Sequence, residues 1–302
     1  MASLDELPRL SAPDGLKAAG LAVAGMALIG VGDNAMPEVA AHMGLAQFQV
    51  VRSGMALALM PLVLIWTRQR LWPVNPWGVL GRSALLTVAM GFYFASVGFL
   101  SVAQSLAGVF TAPLWVMLMT RAQGRAVDGP TAAWIILGFL GCLAVVQPDP
   151  GELGWLALGP LLAGFFYGMT GKVTRSWTGQ ESAWTLVSVY LAMIGLAGLL
   201  ALPFLDPEST DYLSRGWVSV PPHVLALCFA QALVALVSVT LLARAYQLAA
   251  PAFVGAFEYS VLLVAAAVGF AIWGHEIGPL GLSGIALLLV SGAALAWRGD
   301  RA

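Results

Sequence analysis

The sequence predicts an all-α integral membrane protein of ten transmembrane helices, built as two inverted five-helix repeats with both termini cytoplasmic. Three observations predict it. The 302 residues are 60% hydrophobic and 10% charged, with a mean hydropathy of +0.86, and such a composition cannot be wrapped as a globule with a polar skin. Ten apolar runs near the roughly 20 residues a membrane helix needs are separated by short loops, which leaves no room for a separate soluble domain. The stretch 101–146 is echoed after Leu248: sliding Ala103 onto Ala250 also places Gly108 on Gly255 and Phe110 on Phe257, as in a duplicated membrane unit.

Residues 1–15 are acidic and proline-containing, without a basic region and short apolar core, so they read as a cytoplasmic tail and not a signal peptide. The first repeat, 16–147, holds spans at about 16–35, 46–66, 77–100, 102–119 and 130–147. Pro37, Glu38 and Gly44 make a turn after the first span. Residues 148–152 form an acidic linker. The second repeat, 153–297, holds spans at about 153–171, 183–204, 223–248, 252–273 and 280–297, followed by a short cytoplasmic tail, 298–302.

Charge sets the orientation. With termini inside, all of the fourteen Lys and Arg except Arg52 and Arg215 fall in cytoplasmic segments or at the inner boundary, as the positive-inside rule requires. Five spans is an odd number, so the second half enters the membrane in the opposite direction. Inverted repeats of this kind place a substrate site near the midplane. Small residues at four-residue spacing, such as Gly20 with Ala24 and Ala103 with Ala107, provide faces for close helix packing in lipid.

The duplicated five-helix half, the arginine in FQVVRSGMALAL and the hairpin of spans four and five with Pro113 resemble the drug/metabolite transporter superfamily, specifically its EamA-type exporters. Bacterial aromatic amino acid exporters are similar. The resemblance implies a multi-pass inner-membrane exporter of amino acids, aromatic ones among them, or of related small metabolites, working by alternating access around a midplane cavity. A multidrug or aromatic-cation efflux carrier of the same fold and a channel-like facilitator are the alternatives. Two positions depart from the family: Val31-Gly32-Asp33-Asn34 lacks its usual tryptophan, and Arg125 stands where the second copy has Glu276.

Ionisable groups inside spans carry the chemistry, since each costs about 2.5–3.5 kcal/mol at a helix centre. Glu258 lies two turns into span nine. It can bind a substrate ammonium, carry a coupling proton or simply bond a neighbouring helix. Its repeat mate is Thr111, on the face of Trp115. Arg52 can pair with Asp33 or Glu38, hold an anionic substrate group, gate, or snorkel to the outer boundary. Asn34, beside Asp33 at a helix end, can line the cavity or satisfy backbone groups. Tyr93, Tyr167, Trp115 and Phe257 are the expected aromatic wall, because a buried Tyr or Trp seeks a partner for its polar atom.

The remaining patterns exclude function classes. There is no phosphate-binding G-x-x-x-x-G-K-[ST] loop, G-x-S-x-G elbow or H-E-x-x-H, so neither ATP hydrolysis by a P-loop nor membrane-embedded catalysis is expected. Cys142 and Cys228 read as small core residues. His42, His223 and His275 are too far apart in sequence for a metal motif, so no metal and no cofactor is expected. The expected partners are a small-molecule substrate and membrane lipid, not nucleic acid, with the chain a monomer or homodimer.

Overall fold

The computed structural model describes residues 12–68, 71–124, 126–147, 158–249, 251–274, 276 and 278–299. Most of the expected N-terminal tail, the linker 148–152, the last residues 300–302, and Arg70, Arg125 and His275 lie outside them. Helices account for most of the described chain. They are α1 (Ala12–Gly32), α2 (Met36–His42), α3 (Leu45–Thr67), α4 (Pro76–Ser96), α5 (Val102–Val109), α6 (Ala112–Ala122), α7 (Gly129–Val146), α8 (Gly159–Thr178), α9 (Ala183–Ala201), α10 (Pro222–Leu248), α11 (Pro251–Glu258), α12 (Ser260–Trp273) and α13 (Pro279–Gly299).

Among the described residues, seven helical stretches are long and apolar enough to cross a bilayer, and two shorter apolar helices lie at Gly129–Val145 and Pro279–Leu295. Large apolar side chains such as Leu62, Ile65, Leu200, Phe270 and Ile272 face outward. In water that surface would be costly; against lipid it is the required one. The chain is a multi-pass, all-helical membrane protein.

Proline chemistry sets two of the helix breaks. Pro37 lacks an N–H, and its ring crowds the carbonyl four residues back, that of Asp33. The chain tightens there into a 3-10 turn, Asp33–Ala35, and resumes as α2 with Pro37 in its first turn. The expected turn at 37–44 is therefore mostly helix, and the chain reverses only at Met43-Gly44. Pro113 acts likewise on Val109, the last residue of α5, so the fourth expected span is split at Phe110–Thr111. The ninth is split at Tyr259 without a proline.

Side-chain caps close other ends. Ser101 and Gln104 form a reciprocal capping box on α5, Asn75 caps α4 and Asp128 caps α7. Helix α8 runs on to Thr178, so Lys172 and Arg175, expected between spans, are helical instead.

The main pairings are α7 with α13, α4 with α8, α1 with α10, α3 with α9, α1 with α11 and α12, α8 with α5 and α6, α11 with α13, α4 with α9 and α3 with α10. Glycine permits the closest of these. A Cβ on Gly141 would lie 2.8 Å from the Gly284 carbonyl oxygen, and one on Gly284 would lie 2.6 Å from that of Gly141, so α7 and α13 touch backbone to backbone. The loop 205–221 folds over one end. Arg215 there donates to the carbonyls of Ser209, Thr210 and Ala41, and Leu45 N–H donates to the Tyr212 carbonyl.

Candidate functional site

A cavity runs between α1, α3, α4, α5, α8, α9 and α10, with about 980 Å³ of space between side chains, its mouth included. The helices deliver apolar and aromatic groups to most of its wall and polar groups to a few points, the usual composition of a small-molecule site. Two clusters of polar groups stand out.

The first is built on Asp33, which the 3-10 turn aims inward. The carboxylate is buried and accepts from the Tyr93 hydroxyl at 2.6 Å and the Gln231 amide at 3.1 Å; the same amide donates to the Gly32 carbonyl at 2.7 Å. Arg52, also buried, lines the same space. Its guanidinium lies over the Phe94 ring at 4.5 Å and the Phe48 ring at 5.2 Å, and one nitrogen donates to Gln49 Oε1 at 2.8 Å. The Tyr190 hydroxyl sits beside it. Arg52 Nε and Gln49 Nε2 are buried without a hydrogen-bond partner. Orphaned donors are expensive in a membrane interior. Arg52 makes no ion pair among the described residues: Glu38, one expected partner, meets His42 and His223 instead, and Asp33 is held by Tyr93 and Gln231.

The second cluster joins α8, α10 and α11. Glu258 is buried at the last residue of α11 and accepts from the Tyr167 hydroxyl at 2.9 Å, with Tyr246 beside it. Tyr167 and Tyr246 line the cavity, and Glu258 stands behind them. Further along, Arg82 Nε donates to Thr174 at 3.2 Å; Arg82 is 5% exposed although it reads in sequence as an inner-boundary charge.

The other expected site residues are placed elsewhere. Thr111 donates to the Gly108 carbonyl at 2.7 Å and accepts from Trp115 Nε1 at 3.1 Å, beside a small space shared with Tyr259 and Ser291. Trp115 packs edge-on against Phe165, and Phe257 lies tilted against Phe253. None of these three lines the cavity. The broken helices meet instead through Phe110 and Tyr259, whose ring centroids are 4.8 Å apart. Sequence reasoning missed Arg82, Tyr190, Gln231 and Tyr246.

A wide vestibule opens on the other side of the 3-10 turn, lined by Asn34, Pro37, Gln104, Tyr212, Ala266 and Glu276 among others. Asn34 donates to the carbonyls of Gly30 at 2.7 Å and Ala265 at 3.2 Å, tying α1 to α12. Asp33 therefore faces one space and its neighbour Asn34 the other.

A riboflavin transporter from Rhizobium johnstonii is 28% identical over 222 residues, which is 73% of this chain and 69% of that one. No protein-family model matches. A solved crystal structure shares the fold with a TM-score of 0.70 at 13% identity, covering 96% of this chain and 99% of that one. That relative is a transporter, and the membrane-length helices of this chain are compatible with such a role.

Proposed function

We propose that the chain is an alternating-access carrier for a small planar aromatic metabolite, with riboflavin the first substrate to test. The observation that carries the reading is the buried set of Asp33, Tyr93, Gln231 and Arg52 on the wall of a largely apolar cavity. A flavin ring offers flat faces for aromatic contact and one edge of alternating donors and acceptors. Arg52 Nε is a donor without a partner; Asp33 presents carboxylate acceptors, and Gln231, whose two N–H groups go to Asp33 and the Gly32 carbonyl, presents its Oε1 as a further acceptor. The transporter relative supports the same substrate class.

Two inverted five-helix halves are the architecture we propose, and the pairing pattern supports them. If each span of the first half is matched in order to one of the second, the α4–α8 contact has α10–α1 as its counterpart. The contact of α8 with α5 and α6 matches that of α1 with α11 and α12, while α3–α9 and α7–α13 map onto themselves. Both helices cut into short segments, α5–α6 and α11–α12, occupy the same place in their halves.

A second reading has its own observation. Asp33 and Arg52 offer opposite charges in one cavity without pairing with each other, as an amino acid's ammonium and carboxylate would require. Export of aromatic amino acids is that reading. Purified protein in liposomes should move labelled riboflavin faster than empty vesicles do. Flux of tryptophan or phenylalanine without riboflavin flux would establish the second reading, and flux of none of them would end both. Loading the label inside or outside vesicles of known orientation gives the direction.

A further inference from the structure

Outside the cavity, the fold gathers three side chains that the sequence keeps far apart. Glu38 and His42 are one turn apart on α2, and His223 is in the first turn of α10. Helix α2 turns Pro37, Ala40 and Ala41 toward the vestibule and Glu38 and His42 toward α10. His223 Nε2 lies 3.1 Å and His42 Nδ1 3.4 Å from the same oxygen, Glu38 Oε1, and the two imidazoles meet edge to face with centroids 5.4 Å apart. One potential ligand atom from each residue falls within 4.8 Å of the others.

We propose that Glu38, His42 and His223 bind a divalent transition-metal ion of the zinc class, which ties α2 to the start of α10 at the rim of the vestibule. Ligands at about 2.0–2.1 Å from a tetrahedral zinc stand roughly 3.3 Å from one another. The two His–Glu separations already match that edge, so only the approach of the imidazoles to each other must tighten. The side chains are free to do so, being 36%, 35% and 58% exposed for His42, Glu38 and His223. His42 Nδ1 now bonds the Glu38 carbonyl at 3.0 Å, and ligation releases that bond. Two imidazoles and a carboxylate suit zinc, nickel or copper rather than calcium, which takes six or more oxygens. A fourth position is left for water.

The expected consequence is a clamp. Helix α2 continues from the 3-10 turn that holds Asp33 and Asn34, and α10 carries Gln231, so a metal here restrains two elements that meet at the cavity wall.

Titration of the purified, detergent-solubilised protein with zinc chloride should give one saturable site per chain, with no such site for calcium chloride. His42→Ala and His223→Ala should each weaken it at least tenfold. Glu38→Gln, which keeps the shape and removes the charge, guards against a folding defect in the alanine variants. Hydrogen exchange should slow in 36–44 and 222–230 when zinc binds. Absent zinc binding, or binding that survives all three substitutions, overturns the site. Binding without slower exchange in either segment overturns the clamp. All of these readouts are independent of what the cavity transports.

Discussion

Arg52 shows what a buried arginine does that a lysine cannot. Its planar guanidinium covers parts of two rings and still has an unpartnered Nε, whereas an ammonium on a flexible stem would keep the charge and lose the flat contact. A desolvated cation–π contact contributes about 2 kcal/mol or more. Arg52→Lys should therefore raise the riboflavin concentration needed for half-maximal thermal stabilisation about tenfold, which corresponds to about 1.4 kcal/mol. An unchanged value would make Arg52 a packing residue. Glu258 stands behind Tyr167 and not in the cavity wall, so its task separates from that of Arg52. If it carries a coupling proton, Glu258→Gln abolishes uphill accumulation driven by a pH gradient but leaves exchange of labelled for unlabelled substrate intact. Exchange lost together with accumulation would place Glu258 in substrate binding instead. Both acids, Tyr93 and Tyr167 were legible in sequence because a polar atom in an apolar run is conspicuous. Arg82 was not, because a charge six residues after Pro76 looks like a boundary residue until packing buries it. Gln231 and Tyr246 were hidden inside a long helix whose inward face only tertiary structure defines. The histidine cluster was hidden by chain distance alone.

Helices in lipid have no hydrophobic drive to associate, so shape decides which pairs form. Gly141 and Gly284 let α7 and α13 approach until a Cβ on one would press on the other's carbonyl. Gly284→Leu must push the pair apart, and overpacking of this kind typically costs about 1–3 kcal/mol. The thermal midpoint in detergent should fall by several degrees, while Gly129→Ala, with nothing within 4 Å of its added methyl, should leave it unchanged. Equal behaviour of the two variants would show that this crossing is not a stabilising one. At this scale the sequence was most informative where hydropathy and punctuation agree: the bounds expected for α3, α7, α10 and α13 lie within a residue or two of those observed. It was least informative where one apolar run holds two helices. Pro113 signals the break at Phe110–Thr111 only after one asks which carbonyl its ring must crowd, and the break at Tyr259 carries no comparable signal.

At the scale of the molecule, the cavity and the vestibule are separated by one short turn, with Asp33 on the cavity side and Asn34 on the vestibule side. The distribution of Lys and Arg along the chain predicts that the vestibule lies outside and the cavity mouth inside. That orientation and the closed turn can be tested together, because Cys142 and Cys228 are buried and give little background to a thiol reagent. Ala266 lines the vestibule and Gly171 the cavity, where a side chain added at Gly171 meets open space. In intact cells a membrane-impermeant maleimide should label Ala266→Cys promptly, and should label Gly171→Cys promptly only after the membranes are opened. The reverse order would invert the orientation. Prompt labelling of both from outside would mean a continuous path, as in a channel-like facilitator. A carrier has a further signature, since its loaded form crosses between states and its empty form must do so unaided: riboflavin on the far side should accelerate efflux of labelled riboflavin from vesicles. Efflux indifferent to substrate on the far side would exclude alternating access even if riboflavin is moved, and would assign the turn at Asp33–Ala35 to selectivity and not to gating.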